Sequence, residues 1–409
     1  MEIWKRNLAV CWFGTFVTMI GMSQIAPVLP LYIQQLGVHD LASIERLSGI
    51  AFGATFIVSA IFSPVWGLAA DKFGRKPMLL RASLGMSLII FSMGFAGTIQ
   101  QLIVLRLLQG VITGYGTACI TLVATQTPRE QAGWALGTLA TASIAGSLLG
   151  PLIGGYLEEI TGLRSIFWIT GALMMITFLT TLSWVKEDFT PPERKALSLK
   201  EVWRMIPNPG LVLTLFVTAF MLPLAMYSIE PIITVYITQL SRSAAHIALI
   251  SGMTFAASGL ASILAASWLG RLSDRIGPQK VMLAALLAAG IIFIPQAFVK
   301  TPWQLMGLRL LLGVAAAGLN PALNTLVKWV TPDALTGRVF GLSMSAQYLG
   351  VFSGSVLGGQ VAAAFGIQAV FYVTSSLLLL NGLWVYLTIF RKIPGRGCTA
   401  TDAAGNEGF

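Results

Sequence analysis

Charged side chains are scarce in this chain. Asp, Glu, Lys and Arg make up 10% of its 409 residues, whereas about a quarter of the residues in a soluble domain are charged. A chain with so little charge does not suit a large water-exposed surface, which argues against an ordinary globular enzyme. The sequence also has no P-loop, so we expect no ATP-driven chemistry.

Metal ligands and disulfide partners are equally few. The three cysteines are Cys11, Cys119 and Cys398, and the two histidines are His39 and His246. None of them has the spacing of a zinc site or of a disulfide framework. The sequence therefore predicts packing thiols, no metal and no cofactor.

Apolar residues, by contrast, make up 56% of the chain. They form runs of roughly 20 residues, the length that crosses the hydrocarbon core of a bilayer as a helix. The runs have centres near residues 20, 57, 87, 112, 146, 175, 223, 258, 289, 314, 350 and 379. We predict an all-α membrane protein in which twelve transmembrane helices contact the lipid bilayer.

The net charge of +10 comes from basic residues placed between these runs. Only Arg46, Arg164, Arg242 and Lys300 fall in odd-numbered loops, and twenty of the 26 basic residues lie at the N-terminus, in even-numbered loops or in the tail. By the positive-inside rule, both termini are expected in the cytoplasm. The basicity thus predicts orientation in the cell membrane rather than nucleic-acid binding. The first run lacks the short apolar core and cleavage site of a secretory signal, so we expect it to remain as a span.

The sequence repeats itself at half of its length. Pro27 returns as Pro231, and the segment from Arg106 to Gly110 returns from Arg309 to Gly313. A nearly constant offset from the first to the fifth span predicts two pseudo-symmetric six-helix bundles in parallel orientation. We expect a monomer with a first bundle at 1–185, a linker at 186–208 that contains either a short interfacial helix or plain solvated chain, a second bundle at 209–392 and a disordered tail at 393–409.

One charged loop is present in both halves. A carboxylate at a membrane-surface turn can accept hydrogen bonds from the free N–H groups of a helix start. We predict two cytoplasmic latches, in which Asp71 reaches the start of span 11 and Asp274 reaches the start of span 5. The alternative is that these charges only set the orientation of the loops. The predicted gate consists of Gly67, Asp71, Gly74, Arg75, Lys76, Gly270, Asp274, Arg275 and Gly277.

Span 5 carries a regular set of glycines with one proline. Gly146, Gly150 and Gly154 are four residues apart, which predicts a groove for close helix approach. Pro151 should bend the span because it lacks a backbone N–H. Simple packing of small residues is the alternative explanation for the glycines. The whole set is Gly137, Gly146, Gly150, Pro151, Gly154 and Gly155, and its glycines recur in span 11.

Ionisable groups at membrane depth are functional hypotheses because burying them is costly. Arg106 and Arg309 head polar faces of spans 4 and 10, and Glu230 is the only carboxylate that we assign to a span. We predict that Glu230 binds and releases a proton. The alternative is that it pairs with an arginine or meets water at the outer mouth.

A central cavity between the halves should hold the substrate. Flexible methionines and flat aromatic rings suit varied apolar ligands, although lipid contact or core packing is the alternative for each of them. The predicted lining is Met22, Arg106, Thr113, Tyr115, Met226, Tyr227, Glu230, Arg309, Asn320 and Tyr348.

These motifs together resemble those of the twelve-span drug:proton antiporters of the major facilitator superfamily. The loop from Gly67 to Lys76, the segment from Arg106 to Gly110, the span from Gly137 to Gly155 and the pattern from Gly21 to Pro30 are each similar to a family motif. The resemblance implies that Arg106 assists proton transfer and that the span 5 motif controls the direction of transport. It gives no direct support to Glu230.

The sequence as a whole predicts proton-coupled efflux of amphipathic drugs or toxic compounds by alternating access. The alternative is a proton-coupled transporter of a small polar metabolite such as a sugar, which would need more hydrogen-bonding groups in the cavity. A membrane receptor would need a soluble effector domain, and no stretch between the apolar runs is long enough to form one.

Overall fold

The computed structural model describes residues 2–187, 189, 203–206, 208–241, 246–332 and 335–390. All regular secondary structure within these ranges is helical. Of the predicted linker helix, Trp203, Arg204 and Met205 are described and are helical. Residues 198–202 of that helix and the tail at 393–409 lie outside the described residues, so both remain predictions.

Eleven helical segments in the described part of the chain are long and apolar enough to cross a bilayer, and a bent pair of helices supplies a twelfth span. This number agrees with the twelve spans predicted from the sequence. We number them α1 (Ile3–Ser23 with Ile25–Gln35), α2 (Leu41–Phe73), α3 (Arg75–Met93), α4 (Ile99–Gln126), α5 (Ala132–Thr161), α6 (Leu163–Trp184), α7 (Pro209–Leu240), α8 (Ile247–Ile276), α9 (Pro278–Gln296), α10 (Pro302–Val330), α11 (Thr336–Phe365) and α12 (Ile367–Ile389).

The first span of each half is interrupted near a proline. The two parts of α1 meet at 46°, just ahead of Pro27. α7 contains a 3-10 turn at Glu230–Ile232 that includes Pro231. Because proline has no N–H for the carbonyl four residues earlier and its ring crowds that carbonyl, the α-helical ladder breaks at both places. The break in α7 places Glu230 at a helix end.

The fourth span of each half is also broken. α4 is interrupted between residues 112 and 115, where Gly114 adopts a left-handed φ of 116°. The break leaves carbonyl groups without helical partners, and Arg81 Nη2 donates to one of them, that of Thr113, at 2.8 Å. The Arg81 guanidinium itself stacks on Trp66 at 3.6 Å from the ring centroid. α10 is broken at the equivalent point.

The internal repeat extends to side-chain contacts. In the first half the Tyr32 hydroxyl donates to the Met93 carbonyl at 2.7 Å. Its counterpart Tyr236 donates to the Gln296 carbonyl at 3.0 Å. Both bonds join the first span of a half to the third, so the two halves are built from equivalent contacts.

The two halves meet toward one end of the bundle. There α2 crosses α11, and an added methyl group at Gly49 would collide with the Ser355 carbonyl. α5 crosses α8 in the same way, because a methyl group at Gly155 would collide with the Ala248 carbonyl. Backbones approach this closely only where a glycine provides the space. We call this end, where α2 begins and α11 ends, the sealed face.

We call the other end of these helices, where α1 begins, the open face. Methyl groups at Gly133 and Gly137 of α5 would meet no other group within 4 Å in the described part of the chain, and the same holds for Gly337 and Gly341 of α11. The structure therefore shows tight contact between the halves at the sealed face and free space beside these four glycines at the open face. Polar side chains exposed on the open-face parts of α4 and α10 are Thr117, Thr125, Asn320, Asn324 and Lys328.

This geometry predicts opposite outcomes for two glycines of α5. Gly155→Ala should destabilise the sealed conformation by about 1–3 kcal/mol, since the methyl group meets backbone that cannot move aside without separating the halves. Gly137→Ala should be neutral or stabilising, since its methyl group enters open space and alanine favours a helix. Thermal unfolding of both purified variants checks this, and an equal loss of stability would contradict the proposed seal.

Candidate functional site

Arg106 is 2% exposed and lies between α4 and α2. Its Nε donates to the Ala51 carbonyl at 3.0 Å and its Nη2 to the Phe52 carbonyl at 3.1 Å. Its Nη1 donates to Gln109 Oε1 at 2.7 Å. Neutral acceptors therefore hold the guanidinium, and Arg106 joins two helices of the first half.

Four aromatic side chains from both halves meet beside this arginine. The ring centroids of Tyr227 and Phe52 are 6.0 Å apart, and those of Tyr227 and Phe56 are 6.3 Å apart. Phe56 also lies 6.1 Å from Tyr348. We call these four residues, which come from α2, α7 and α11, the aromatic cluster. Its rings offer flat apolar surface where the halves meet.

Glu230 and Arg309 lie next to the cluster without forming an ion pair. Glu230 interacts electrostatically with Arg309 and with Tyr227. Among the described residues, the ion pairs within 4.0 Å are those of Lys5, Arg75 and His246. None of them joins Glu230 to Arg309. The Nε and Nη2 atoms of Arg309 are buried and have no hydrogen-bond partner among the described residues. A carboxylate and a guanidinium are thus close to each other and unpaired.

The other predicted cavity residues lie on α1, α4, α7 and α10. The Met22 sulfur accepts a weak hydrogen bond from Gln109 Nε2 at 3.4 Å. Thr113 lies at the break of α4 and shares a 3.1 Å hydrogen bond with Ser59. Met226 is half-buried on α7, and Asn320 is exposed on α10.

The prediction that Tyr115 lines the cavity needs correction. Tyr115 is 1% exposed and packs with Cys11 and Cys119 inside the first half. Its hydroxyl shares a 3.2 Å hydrogen bond with Thr181. Tyr115 follows the break in α4, which turns its side chain toward α1 and α6 and away from the second half.

The two copies of the charged loop lie at the open face, and among the described residues neither Asp71 nor Asp274 has a hydrogen bond or ion pair to the opposite half. Asp71 pairs with Arg75 of its own loop at 2.6 Å, and Asp274 is exposed. The backbone N–H groups of Arg75 and Lys76 donate to the Glu187 carboxylate at 2.8 and 2.6 Å. Both loops turn at a glycine with positive φ, Gly74 at 92° and Gly277 at 97°. Of the remaining gate residues, Gly67 and Arg275 are exposed and Gly270 is half-buried.

The glycine set of α5 faces two different helices. Gly146, Gly150 and Gly154 lie against α1, where added methyl groups would meet residues 16–24. Gly155 lies against α8, and the Pro151 carbonyl faces Gly252 of α8. α5 therefore packs on a helix of its own half and on a helix of the other half.

Sequence reasoning missed Phe52, Phe56, Glu45 and Glu187. The statement that Glu230 is the only carboxylate in a span was wrong, because α2 begins at Leu41 and includes Glu45. The signal was present in the sequence: Asp40 caps this helix start by accepting from the Ser43 backbone N–H at 2.9 Å. The two phenylalanines carry no local signal that separates a ligand contact from core packing.

An all-helical membrane protein with two six-helix halves around a central space has the architecture of a secondary transporter. The family model of the Major Facilitator Superfamily matches residues 11–258 and 215–404. The chain belongs to the Major Facilitator Superfamily. It is a multi-pass membrane transporter of small molecules, in a family of transporters rather than enzymes.

The comparisons with known proteins agree along the whole chain. It is 43% identical to the multidrug resistance protein MdtG of Salmonella arizonae and to that of Salmonella typhimurium, over 95% of this chain and 96% of each relative. A solved bacterial homologue of the human lysosomal transporter Spinster, in an inward-facing and occupied conformation, has a TM-score of 0.79 at 14% identity, over 96% of this chain and 98% of that one. The human organic anion transporter MFSD10 has a TM-score of 0.71 at 19% identity, over 94% and 100%. These two structures support the fold alone.

The two repeated arginines should respond differently to the same substitution. Arg106→Lys should destabilise the first half by about 1.5–3 kcal/mol for each charged hydrogen bond lost, since a lysine cannot span two successive carbonyls. Arg309→Lys should cost less, because two of the Arg309 nitrogens have no partner among the described residues. Thermal unfolding of the purified variants measures the difference, and equal shifts would contradict the clamp role of Arg106.

Proposed function

We propose that this protein exports amphipathic small molecules from the cytoplasm in exchange for protons by alternating access. The observation that carries the proposal is Glu230, an unpaired carboxylate at a helix break, beside an aromatic cluster that both halves form. Identity of 43% to proteins named for multidrug resistance supports drug-like substrates.

The orientation follows from the distribution of charge. Lys5, Lys72, Arg75 and Arg275 lie at helix ends near the open face. Because basic loops stay in the cytoplasm, the open face is the cytoplasmic one and both termini are cytoplasmic. The conformation described here is then the inward-open state of a cell-membrane transporter, and one monomer supplies the complete site.

Substrate recognition follows from the chemistry of the aromatic cluster. Its rings and the flexible side chains of Met22 and Met226 provide apolar contact that tolerates different shapes. The exposed polar residues of α4 and α10 admit the polar end of an amphipathic ligand from the cytoplasm.

Proton coupling requires a group whose charge changes between the two states. Ionised Glu230 can pair with Arg309, which lies close enough to interact electrostatically and has two nitrogens without partners in the described residues. A proton entering from outside neutralises Glu230 and frees Arg309. Because a bound proton or ligand shifts the two states only by its different affinity for them, this exchange ties proton entry to inward opening.

The duplicated loops would act in the other half of the cycle. When the open face shuts, α5 and α11 bring their first turns toward Asp274 and Asp71, whose carboxylates can then accept from the free N–H groups. In the inward-open state, the ion pair with Arg75 keeps the Asp71 carboxylate at the loop where it would form the latch. α5 connects the motion, since its glycines contact α1 on one side and α8 on the other.

Replacement of the carboxylate tests the coupling. Glu230→Gln should abolish efflux driven by a pH gradient in proteoliposomes loaded with an amphipathic dye, because the amide cannot release a proton. Dye binding to the purified variant should persist, since the aromatic cluster remains. Glu130→Gln, at an exposed position on the open face, is the matched control and should export normally. Undiminished efflux by Glu230→Gln would remove Glu230 from the mechanism, and sugar transport without dye efflux by the wild type would overturn the proposed function.

The latches have a separate test. Asp71→Asn and Asp274→Asn should each shift the protein toward the inward-open state, because a neutral amide is a weaker acceptor for a helix start. Spin labels on the open-face ends of α2 and α11 should then report a larger fraction of long distances, and the double variant should show the largest. An unchanged distance distribution in both single variants would leave the two carboxylates with a topological role only.

A further inference from the structure

Glu45 is a second carboxylate in the contact between the halves. Its side chain is 3% exposed, one turn into α2 at the sealed face. Its own backbone carbonyl faces Gly359 of α11, where a methyl group would collide with it. Two helices from different halves therefore touch at the level of this residue.

The Glu45 carboxylate has no partner within the described part of the chain, and its two oxygens are not among the fully enclosed unpaired atoms. Among the described residues, no ion pair within 4.0 Å and no hydrogen bond involves the Glu45 side chain. Ser48, one turn further along α2, is also buried with its hydroxyl unpaired among these residues. Packing against α11 removes most of the water around the Glu45 side chain, which disfavours the ionised carboxylate relative to the protonated acid.

The charged groups around Glu45 do not compensate an ionised form. Asp40 acts on it electrostatically with the same sign. Hydrogen bonds from the Ser43 hydroxyl and backbone lower the pKa of Asp40, so Asp40 keeps its negative charge. Arg46 is exposed and acts electrostatically on Asp40. The facing part of α11, residues 350–365, has no ionisable side chain.

Within the described part of the chain, the other elements packed against this end of α2 add no nearby cation. α7 contributes Glu230, whose electrostatic partner is Arg309, and Tyr227, which belongs to the aromatic cluster. α1 contributes Tyr32, whose hydroxyl is bonded to Met93. Arg106 of α4 bonds carbonyls of α2 further along that helix.

We propose that Glu45 is a second proton-binding site, located in the seal itself, which must be protonated for the sealed face to close. Opening of this face exposes the carboxylate to external water, where it loses its proton to the solvent. Closure takes up one proton at Glu45, so external acidification favours closure by up to about tenfold per pH unit. The inference rests on the proposed function for the statement that the sealed face is external.

A reporter cysteine can measure the opening of the seal directly. Ser355→Cys is buried at the crossing of α2 and α11 and becomes reactive only when the sealed face opens. The three native cysteines are replaced by serine, and a membrane-impermeant maleimide is applied to right-side-out vesicles. Labelling is normalised at each pH to Gln100→Cys, an exposed position on the same face. Wild-type labelling should rise as the external pH goes from about 5.5 to about 8, since deprotonation opens the seal.

Substitutions at position 45 should change the pH dependence of maleimide labelling in different ways. In a Glu230→Gln background, which removes the other proton site, Glu45→Gln should label slowly with little pH dependence. In the same background, Glu45→His should reverse the dependence, because histidine gains charge as the pH falls. Glu130→Gln and Glu230→Gln should both retain the pH dependence that Glu45 confers. If Glu45→Gln fails to accumulate in the membrane, the reversed pH dependence of labelling in Glu45→His tests the proposal in its place.

The outcomes separate this site from the proposed function. Unchanged pH dependence in Glu45→Gln, or wild-type labelling that does not respond to pH, would overturn the inference while dye efflux still stood. A pH-dependent seal in a protein that exports no dye would leave the Glu45 site intact and refute the proposed export.

Discussion

A charge that leaves water for the interior of an apolar bundle must find a partner or be neutralised, and this constraint shapes the whole molecule. Arg106 meets it with two backbone carbonyls and an amide side chain, which turns a costly charge into a clamp. Glu230 and Arg309 meet it incompletely, since they interact at a distance without an ion pair. Where the constraint is left unsatisfied, a proton or a ligand can supply the missing partner, and a conformational change can follow.

Breaks in the helices set the positions at which these groups act. Proline ends the regular ladder in the first span of each half, and a glycine region ends it in the fourth. The first kind of break carries Glu230 to a helix end near the aromatic cluster. The second frees carbonyls that side chains of neighbouring helices then bind, as Arg81 does at Thr113.

The function that we propose depends on differences between two nearly equivalent halves. The repeated arginines occupy matching positions, yet one is saturated with hydrogen bonds and the other is not. The repeated loops turn at matching glycines, yet a carboxylate from the end of the first half caps α3, whereas α9 begins with Pro278, which has no N–H to cap. Symmetric packing gives two stable bodies, and the asymmetric charges distinguish their roles.

The sequence by itself determined the helical class, the number of spans, the repeat and the motif positions, because bilayer thickness and backbone hydrogen bonding leave an apolar chain few alternatives. It also identified Glu230, Tyr227 and Tyr348, which the structure brings near one another. Only the tertiary structure decided that Tyr115 belongs to the core, that Phe52 and Phe56 complete the aromatic cluster, and that Glu45 lies inside the seal. Those assignments depend on which face of a helix meets the other half of the molecule. The sequence does not reveal this, because a face buried in the core and a face that lines a cavity have the same apolar periodicity along the chain.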